Sequence, residues 1–366
     1  MAYGRRWVIV TDGGHGGSRD CVAAVRALTF GGYSTAVTVS RGTSRAAISR
    51  YSHKRIPVPR ADASGYAEAI RWEMSHGDYL AVVPASEASL LALGVSVPHL
   101  VDKVSLNEAA GAAGIDVPSS KVFTSGRELV AAARGLDYPV AVKPAVRTFS
   151  AYRADSPSDM QRLLATEGSV VVQPWLSDGL HAISGVMWEG RLHSAVHERW
   201  LRIWPRPCGL ASAAVTTEAD EAAEGRLESL LSGYEGVFCA QFSGPHLFDL
   251  NLRVHSSHAL AVAARVNLLA LYCDLLSGNS APSMRAAPGH FYRWLEGDVR
   301  AVAEAVRTRR MSLPAAFTAL RPRLRAAHSI ESVKDPAPML ARLAWGCGRV
   351  RMSQDQRRDS PAPHRI

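Results

Sequence analysis

The chain has 366 residues and a mass of 39.4 kDa, with 47% hydrophobic and 20% charged residues, which suits two or three packed subdomains and excludes a disordered or low-complexity protein. The net charge of +9 belongs to one end: residues 300–366 carry 14 basic and 5 acidic residues, and the remainder balances at 28 of each. Few aromatics interleave that basic end, which argues against a nucleic-acid surface and for a solvated terminus.

Trp7-Val8-Ile9-Val10 reads as a first buried strand, followed by a turn with Gly13, Gly14, Gly16 and Gly17. Residues 19–30 have helical spacing through Val22, Val25, Ala27 and Leu28, and Gly31-Gly32 end that helix. Residues 34–40 alternate as a second strand, 67–76 read as a helix, 79–84 as a strand, and 87–93 as a helix ended by Gly94. Strands alternating with helices predict a parallel sheet, a Rossmann-like domain over residues 1–100. The first turn contains Gly14-x-Gly16 without the full G-x-G-x-x-G, and no acidic residue is evident after the second strand. It fits a strand-to-helix turn facing an anion better than a dinucleotide site. Asp12, His15, Ser86 and Glu87 fall at C-terminal strand ends, the ligand edge of open α/β sheets.

Residues 105–114 read as helix, 121–123 as strand, 125–134 as helix with Ser125 as its cap, 139–144 as strand and 155–165 as helix. A strand at 170–173 exits into Pro174-Trp175-Leu176, closing a compact α+β unit. Strands dominate from 182 to 215, a helix follows at 218–232, and a hairpin joins 237–242 to 248–253. Residues 259–276 and 290–346 read as mostly helical, and the polar, Pro-rich end from 352 reads as a disordered tail. The five cysteines, Cys21, Cys208, Cys239, Cys273 and Cys347, form no Cys-x-x-Cys pair. An odd count without such pairs argues against a zinc site or disulfide framework and for a reducing compartment, with cytoplasm the expected location. Two early arginines followed by a short apolar strand do not make a signal peptide, and Arg265, Asn267 and Asp274 interrupt the apolar stretch at 259–276, so no membrane span is expected.

Only five residues are lysine, and one of them, Lys143, lies in the apolar run Val140-Ala141-Val142-Lys143-Pro144. A compact point charge in a chain that otherwise uses arginine suits a phosphate. In the late hairpin, alternate side chains share a face, so Asp249, Asn251 and Arg253 project together and Phe248, Leu250 and Leu252 oppositely. With 243–247 as the loop, Phe242 pairs with Phe248 and Gln241 faces Asp249. Gln241, Asp249 and Asn251 then form an oxygen-rich cluster beside Arg253, a donor set that magnesium takes together with phosphates. An ordinary half-exposed hairpin has the same alternation.

Four segments, in order, resemble the ATP-grasp superfamily, and the similarity covers about residues 1–285. Asp102-Lys103-Val104-Ser105 followed by Gly114-Ile115-Asp116-Val117-Pro118 is similar to the family's "D-K…G-I-x-x-P" entry to the fold. Pro139 through Pro144 resembles its "P-x-V-x-K-P" strand, Val171 through Leu176 its adenine hinge, and Asp249-x-Asn251-x-Arg253 its "E-x-N-x-R" metal signature. The resemblance implies α/β and α+β architecture: the Rossmann-like domain (1–100), a two-lobed ATP-grasp fold (small lobe 101–180, large lobe 181–290 with the metal hairpin), a helical basic extension (291–351) and the tail (352–366). It implies ATP and Mg as cofactors, in the carbamoyl-phosphate-synthetase-like or carboxylate–amine ligase branch. Lys103 and Lys143 would contact phosphates, and Gln173 with the backbone of Trp175 and Leu176 would meet adenine. Asp249 and Asn251, with Gln241 at the first ligand position, would hold magnesium, and Arg253 would steady a phosphate or the acyl phosphate, making Lys143 and Arg253 the catalytic pair.

Three departures stand out: residues 145–150 lack the usual lid glycines, with Arg147 as a substitute; no Glu lies near His181; and Gln241 replaces an acid. The implied activity joins a small-molecule carboxylate to an amine, less often a thiol, through an acyl phosphate, releasing ADP and phosphate; the alternative is a degenerate member that binds nucleotide without turnover. His255, Ser256, Ser257 and His258 would line the acceptor site, the histidines as bases or as structural groups. Arg199, Arg202 and Trp204 fit an anionic substrate or a strand edge equally. Substrate identities and oligomeric state are open at this point.

Overall fold

The computed structural model describes residues 6–12, 19–40, 44–146 and 148–342. The glycine-rich turn with His15, Arg147, Cys347 and the tail from 352 lie outside the described residues.

The chain begins with β1 (Trp7–Thr11), α1 (Arg19–Phe30), β2 (Ser34–Val39), β3 (Lys54–Pro57), α2 (Tyr66–His76), β4 (Tyr79–Pro84) and α3 (Glu87–Leu93). Its four strands are parallel in the order β3-β2-β1-β4. Val8, Ile9 and Val10 are all buried, as a parallel sheet covered on both faces requires. The sequence pattern did not mark β3, because Lys54-Arg55-Ile56-Pro57 holds only one buried apolar side chain.

Next come α4 (Lys103–Ala112), β5 (Lys121–Phe123), α5 (Gly126–Ala132), β6 (Val140–Pro144), β7 (Tyr152–Ala154) and β8 (Val170–Pro174). These strands form an antiparallel sheet in the order β5-β8-β6-β7. Val140, Val142, Val170 and Val172 pack with Phe123, Leu129 and Met160. By alternation Ala141, Lys143, Val171 and Gln173 take the opposite face. The helix expected over 155–165 is a 3-10 segment, Pro157–Leu163, opened by a capping box of Ser156 and Asp159. Gly126 lets it pack closely, since a Cβ there would lie 1.8 Å from the Leu163 carbonyl oxygen.

The rest comprises β9 (Leu180–Trp188), β10 (Arg191–Trp204), β11 (Leu210–Thr216), α6 (Glu221–Leu230), β12 (Gly236–Ser243), β13 (His246–Asn251), α7 (His258–Ala263), α8 (Leu268–Leu276), β14 (Phe291–Arg293), α9 (Leu295–Arg307), α10 (Leu313–Leu320) and β15 (Ala327–His328). A seven-stranded sheet runs β13-β12-β9-β10-β11-β14-β15. The region from 291 is therefore more than a helical extension. Two strands of it join the large sheet, antiparallel to β11 through β14 and then parallel through β15. The residues after β15 are clamped to α1, where Arg26 pairs with Asp335 at 2.9 Å and donates to the carbonyls of Ser329 and Ile330.

The boundary near residue 100 does not separate two cores. Val8, Val25 and Leu28 share one buried cluster with Val186, Val196, Leu268, Leu269 and Cys273. On the other face of the large sheet, Ile183, Phe238, Phe242, Leu247 and Leu250 pack with Leu106 of α4 and Leu227 of α6. Among the described residues no helix is long and apolar enough to cross a membrane.

Candidate active site

Asp102 caps α4, accepting from the N–H groups of Val104 and Ser105 at 2.9 and 3.1 Å. That fixes Lys103 at the first helical turn, and its own N–H bonds to the Ala145 carbonyl, two residues beyond Lys143. The Lys103 ammonium forms an ion pair with Asp249 at 2.7 Å. Burial works against the Asp249 carboxylate, yet Lys103, then Lys143 and Asn251, outweigh it and pull the group down to about 2. Burial also works against the Lys103 ammonium, but Asp249 in contact holds it above its ordinary value.

Lys143 crosses from the small sheet to the large one. Its Nζ donates to Gln173 Oε1 at 2.8 Å, a diagonal neighbour on β8, and to the Phe248 carbonyl on β13 at 2.9 Å. Burial pushes its ammonium down to about 8; Asp249 opposes that shift and Lys103 adds to it.

The hairpin pairs Gln241 with Asp249 as expected, but by a different register. Ser243 pairs with His246 and Phe242 with Leu247, so the turn is Gly244-Pro245 and not the five-residue loop 243–247. Gly244 takes φ +55, a left-handed conformation that glycine adopts without strain. A two-residue turn leaves one extra residue on β13, and the ladder shifts between Phe242 and Gln241 to absorb it. Phe248 is the residue passed over. It leaves the apolar face, where Leu247, Leu250 and Leu252 are buried, and puts its ring 5.2 Å below the Lys143 ammonium. Its unpaired carbonyl is the acceptor Lys143 uses, so the bulge makes the bridge between the sheets.

Asn251 donates to Asp249 Oδ2 at 3.0 Å and accepts from Arg253 at 3.0 Å. Gln241, Asp249 and Asn251 are hard oxygen donors with one carboxylate among them. That set fits magnesium drawing further ligands from phosphate better than an all-protein cation cage. Among the described residues no group of three or more His, Cys, Asp or Glu could hold a metal by itself.

Other expected site residues are placed differently. Arg253 is 8% exposed, and its guanidinium meets Asp20 of α1 at 2.7 Å and the Val254 carbonyl at 3.0 Å. It locks the segment after β13 to the N-terminal layer. Gln173 is buried with both amide atoms engaged, Oε1 on Lys143 and Nε2 on Ser120 at 3.0 Å. Trp175 spends its N–H on the Pro139 carbonyl, and its ring lies 5.2 Å from the Arg153 guanidinium. Leu176 lies beside it, half-buried. Arg202 is bound bidentately by the buried Asp298, so it is a structural group. His181 stacks on Phe242 and faces away from Gln241, into a separate cleft of about 530 Å³ that also holds His197 and Arg199.

Sequence reasoning missed Glu198. The ladder sets Glu198, Ala182, Gln241 and Asp249 in one row across four strands. Glu198 thus shares the face of Gln241 and Asp249, and burial raises its carboxyl to about 7 against the donors Trp200 and Ser257. The alternation of β10 alone could have suggested it, but only the large-sheet register shows that it shares a face with Gln241 and Asp249.

No protein-family model and no curated protein matches the sequence. Solved structures do. The chain is similar to an L-amino acid ligase from Bacillus licheniformis at 12% identity, covering 75% of each chain with a TM-score of 0.55. It is similar to the biotin carboxylase domain of 2-oxoglutarate carboxylase from Hydrogenobacter thermophilus, described with MgADP and bicarbonate, at 14% identity over 79% of this chain and 74% of that one, TM-score 0.58. The carboxyaminoimidazole ribonucleotide synthase of Aspergillus clavatus, complexed with ATP, gives 14% identity over 78% and 81%, TM-score 0.58. At these identities the likeness establishes the fold. The chain shares the fold of these three solved structures.

Proposed function

We propose that this chain is an ATP- and magnesium-dependent ligase that joins a carboxylate to an amine through an acyl phosphate. The observation that carries the reading is the Lys103–Asp249–Lys143 cluster at the junction of the two sheets. Three cations, Lys103, Lys143 and Arg253, there face Asp249, Asp20 and, acting on Lys103, Glu87. Two of the cations are ammonium groups set close together, an arrangement that suits a polyphosphate. Lys103 rests on a carboxylate and Lys143 on an amide oxygen and a carbonyl, oxygen acceptors of the kind that phosphate also offers.

The small lobe, 101–180, closes on the large lobe, 181–290, with the nucleotide between them. A carboxylate oxygen attacks the terminal phosphorus of ATP and the bond to ADP breaks. The amine nitrogen then bonds to the acyl carbon and the carbon–oxygen bond to phosphate breaks. Of the two protons an ammonium substrate gives up, one leaves with phosphate and one passes to solvent. Lys103 and Lys143 hold phosphate oxygens in line and offset their charge. Gln241, Asp249 and Asn251 would hold magnesium together with the phosphates, and the ion would supply further positive charge. Gln173 orients Lys143, the backbone of Trp175 and Leu176 meets the base, and Arg253 fixes Asn251 against α1.

The test is release of ADP and phosphate from MgATP with a panel of free amino acids, taken singly and in pairs. The reading expects release only when a carboxylate is present, and at least a hundredfold loss in Lys143→Ala. Nucleotide binding without carboxylate-dependent ADP release across the panel would leave a binding protein without turnover.

A further inference from the structure

Beyond the nucleotide cleft, a second polar chain lies on the same face of the large sheet. Glu198 is 2% exposed. Its Oε1 accepts from Trp200 Nε1 at 2.9 Å and from Ser257 Oγ at 3.0 Å. Ser257 Oγ lies 3.1 Å from His255 Nδ1. The His255 ring stacks on Trp200, with centroids 6.5 Å apart and planes 8° from parallel. His255 is 5% exposed, and among the described residues its Nε2 has no hydrogen-bond partner.

With Glu198 ionised, the count of donors and acceptors favours one tautomer. The Trp200 indole only donates, and Glu198 Oε1 already serves as acceptor for it. Ser257 has one hydroxyl hydrogen, directed at that same oxygen. Its oxygen is then left to accept from His255, so Nδ1 carries the ring proton. The competing contact, Ser257 N–H to Nδ1, is 3.5 Å long and weak. Nε2 is left with a lone pair and no donor, a buried vacancy of the kind folded proteins keep few of.

We propose that His255 is a substrate-contacting residue whose Nε2 accepts an N–H of the incoming amine, with Ser257 and Glu198 as positioning residues that fix its tautomer. This rests on the ligase reading above. A carboxylate or phosphate has no hydrogen to offer a lone pair, whereas an amine does, and the bond holds its nitrogen while the nitrogen's own lone pair stays free for the acyl carbon. The charged groups facing the ring are Arg19 and Asp20 on α1, Arg253 on the same segment and Asp249 on β13, with Glu198 reached through Ser257. Burial, then these arginines, hold His255 down to about 4 against Asp20 and Asp249, so the ring is uncharged at neutral pH.

The experiment uses the full chain with ¹⁵N-labelled histidine, reading the ring nitrogens by long-range ¹⁵N–¹H correlation. Wild type is expected to carry the proton on Nδ1 at pH 8, where Glu198 is ionised and acts only as an acceptor. Ser257→Ala and Glu198→Ala are expected to move it to Nε2, while Glu198→Gln, which keeps an oxygen acceptor, retains it on Nδ1. Free amino acids titrated with MgADP present are expected to shift the Nε2 resonance for at least one of them. In turnover, His255→Ala is expected to raise KM for the amine at least tenfold and KM for MgATP less than twofold. A proton on Nε2 in wild type, or an Nε2 resonance that no amino acid moves, overturns the proposal. Failure of the ligase reading shows separately, as absence of carboxylate-dependent ADP release, because the tautomer and the titration need no turnover.

Discussion

Replacing Lys143 with methionine should move stability and nucleotide affinity in opposite directions. The ammonium is held near 8 against an ordinary 10.5, mainly by burial, which corresponds to about 3 kcal/mol of disfavoured charge. The sign follows from proton binding. Below about pH 8 the folded protein carries the whole penalty, and stability rises with pH from there to about 10.5, where lysine is neutral in both states. A methionine at this position would remove the penalty at pH 7. It would also leave Gln173 Oε1 and the Phe248 carbonyl without their donor, costing about 1 kcal/mol each at the low end that their partial burial implies. The net expectation for Lys143→Met is a gain of about 1 kcal/mol at pH 7 that fades by about pH 10, read from urea unfolding without nucleotide. MgATP affinity should fall by about 10- to 150-fold, the worth of one charge-assisted contact at about 1.5–3 kcal/mol. A variant less stable than wild type at pH 7, or one that binds MgATP with unchanged affinity, would refute the reasoning.

Asp249→Asn should cost about 1–2 kcal/mol at pH 7, because it strands the Lys103 ammonium. The pair is only partly buried, so the cost stays below that of a fully buried ion pair. The Asp249 carboxylate contributes stability that is present above about pH 4 and lost as pH falls through about 2, so the two proteins should converge in acid denaturation. Glu198→Gln should stabilise the protein at pH 8 and not at pH 4, because burial lifts this carboxyl to about 7 and its charged form is penalised above that value. Equal effects at both pH values in urea unfolding would contradict that account. Arg253→Gln and Asp20→Asn should be non-additive, with a coupling of about 1–2 kcal/mol in a double-mutant cycle, since each removes the same 2.7 Å contact between α1 and the segment after β13.

Much of the cleft was legible because its residues break a local pattern. Lys143 is a lone cation in a run of valines, and the period of two put Asp249 and Asn251 on one face. Gln241 opposite Asp249 was also readable, although the expected loop was too long and the bulge at Phe248 compensated for it. That bulge depends on the two-residue turn at Gly244-Pro245, which no hydrophobic spacing encodes. Strands β14 and β15 have three and two residues, too few to show a period. The partners of Arg253 and Glu198 were beyond reach for another reason. Asp20 is 233 positions from Arg253, and Ser257 is 59 positions from Glu198. Contacts at such separations are decided by how the sheets stack, so residues such as Gln173 read as ligand contacts when the fold uses them to orient a lysine.

The central claim is that Lys103, Lys143 and the Gln241–Asp249–Asn251 donors form one binding site for magnesium and ATP. Thermal unfolding of the full chain with ATP, with and without magnesium, tests it most directly. A nucleotide at about a hundred times its dissociation constant adds about 2.7 kcal/mol to a state that alone binds it. Wild type should therefore melt higher with MgATP than with either component alone, and Asp249→Asn should lose the magnesium-dependent part. A wild-type melting temperature indifferent to MgATP, or a rise of the same size in the protein lacking both lysines, would contradict the account.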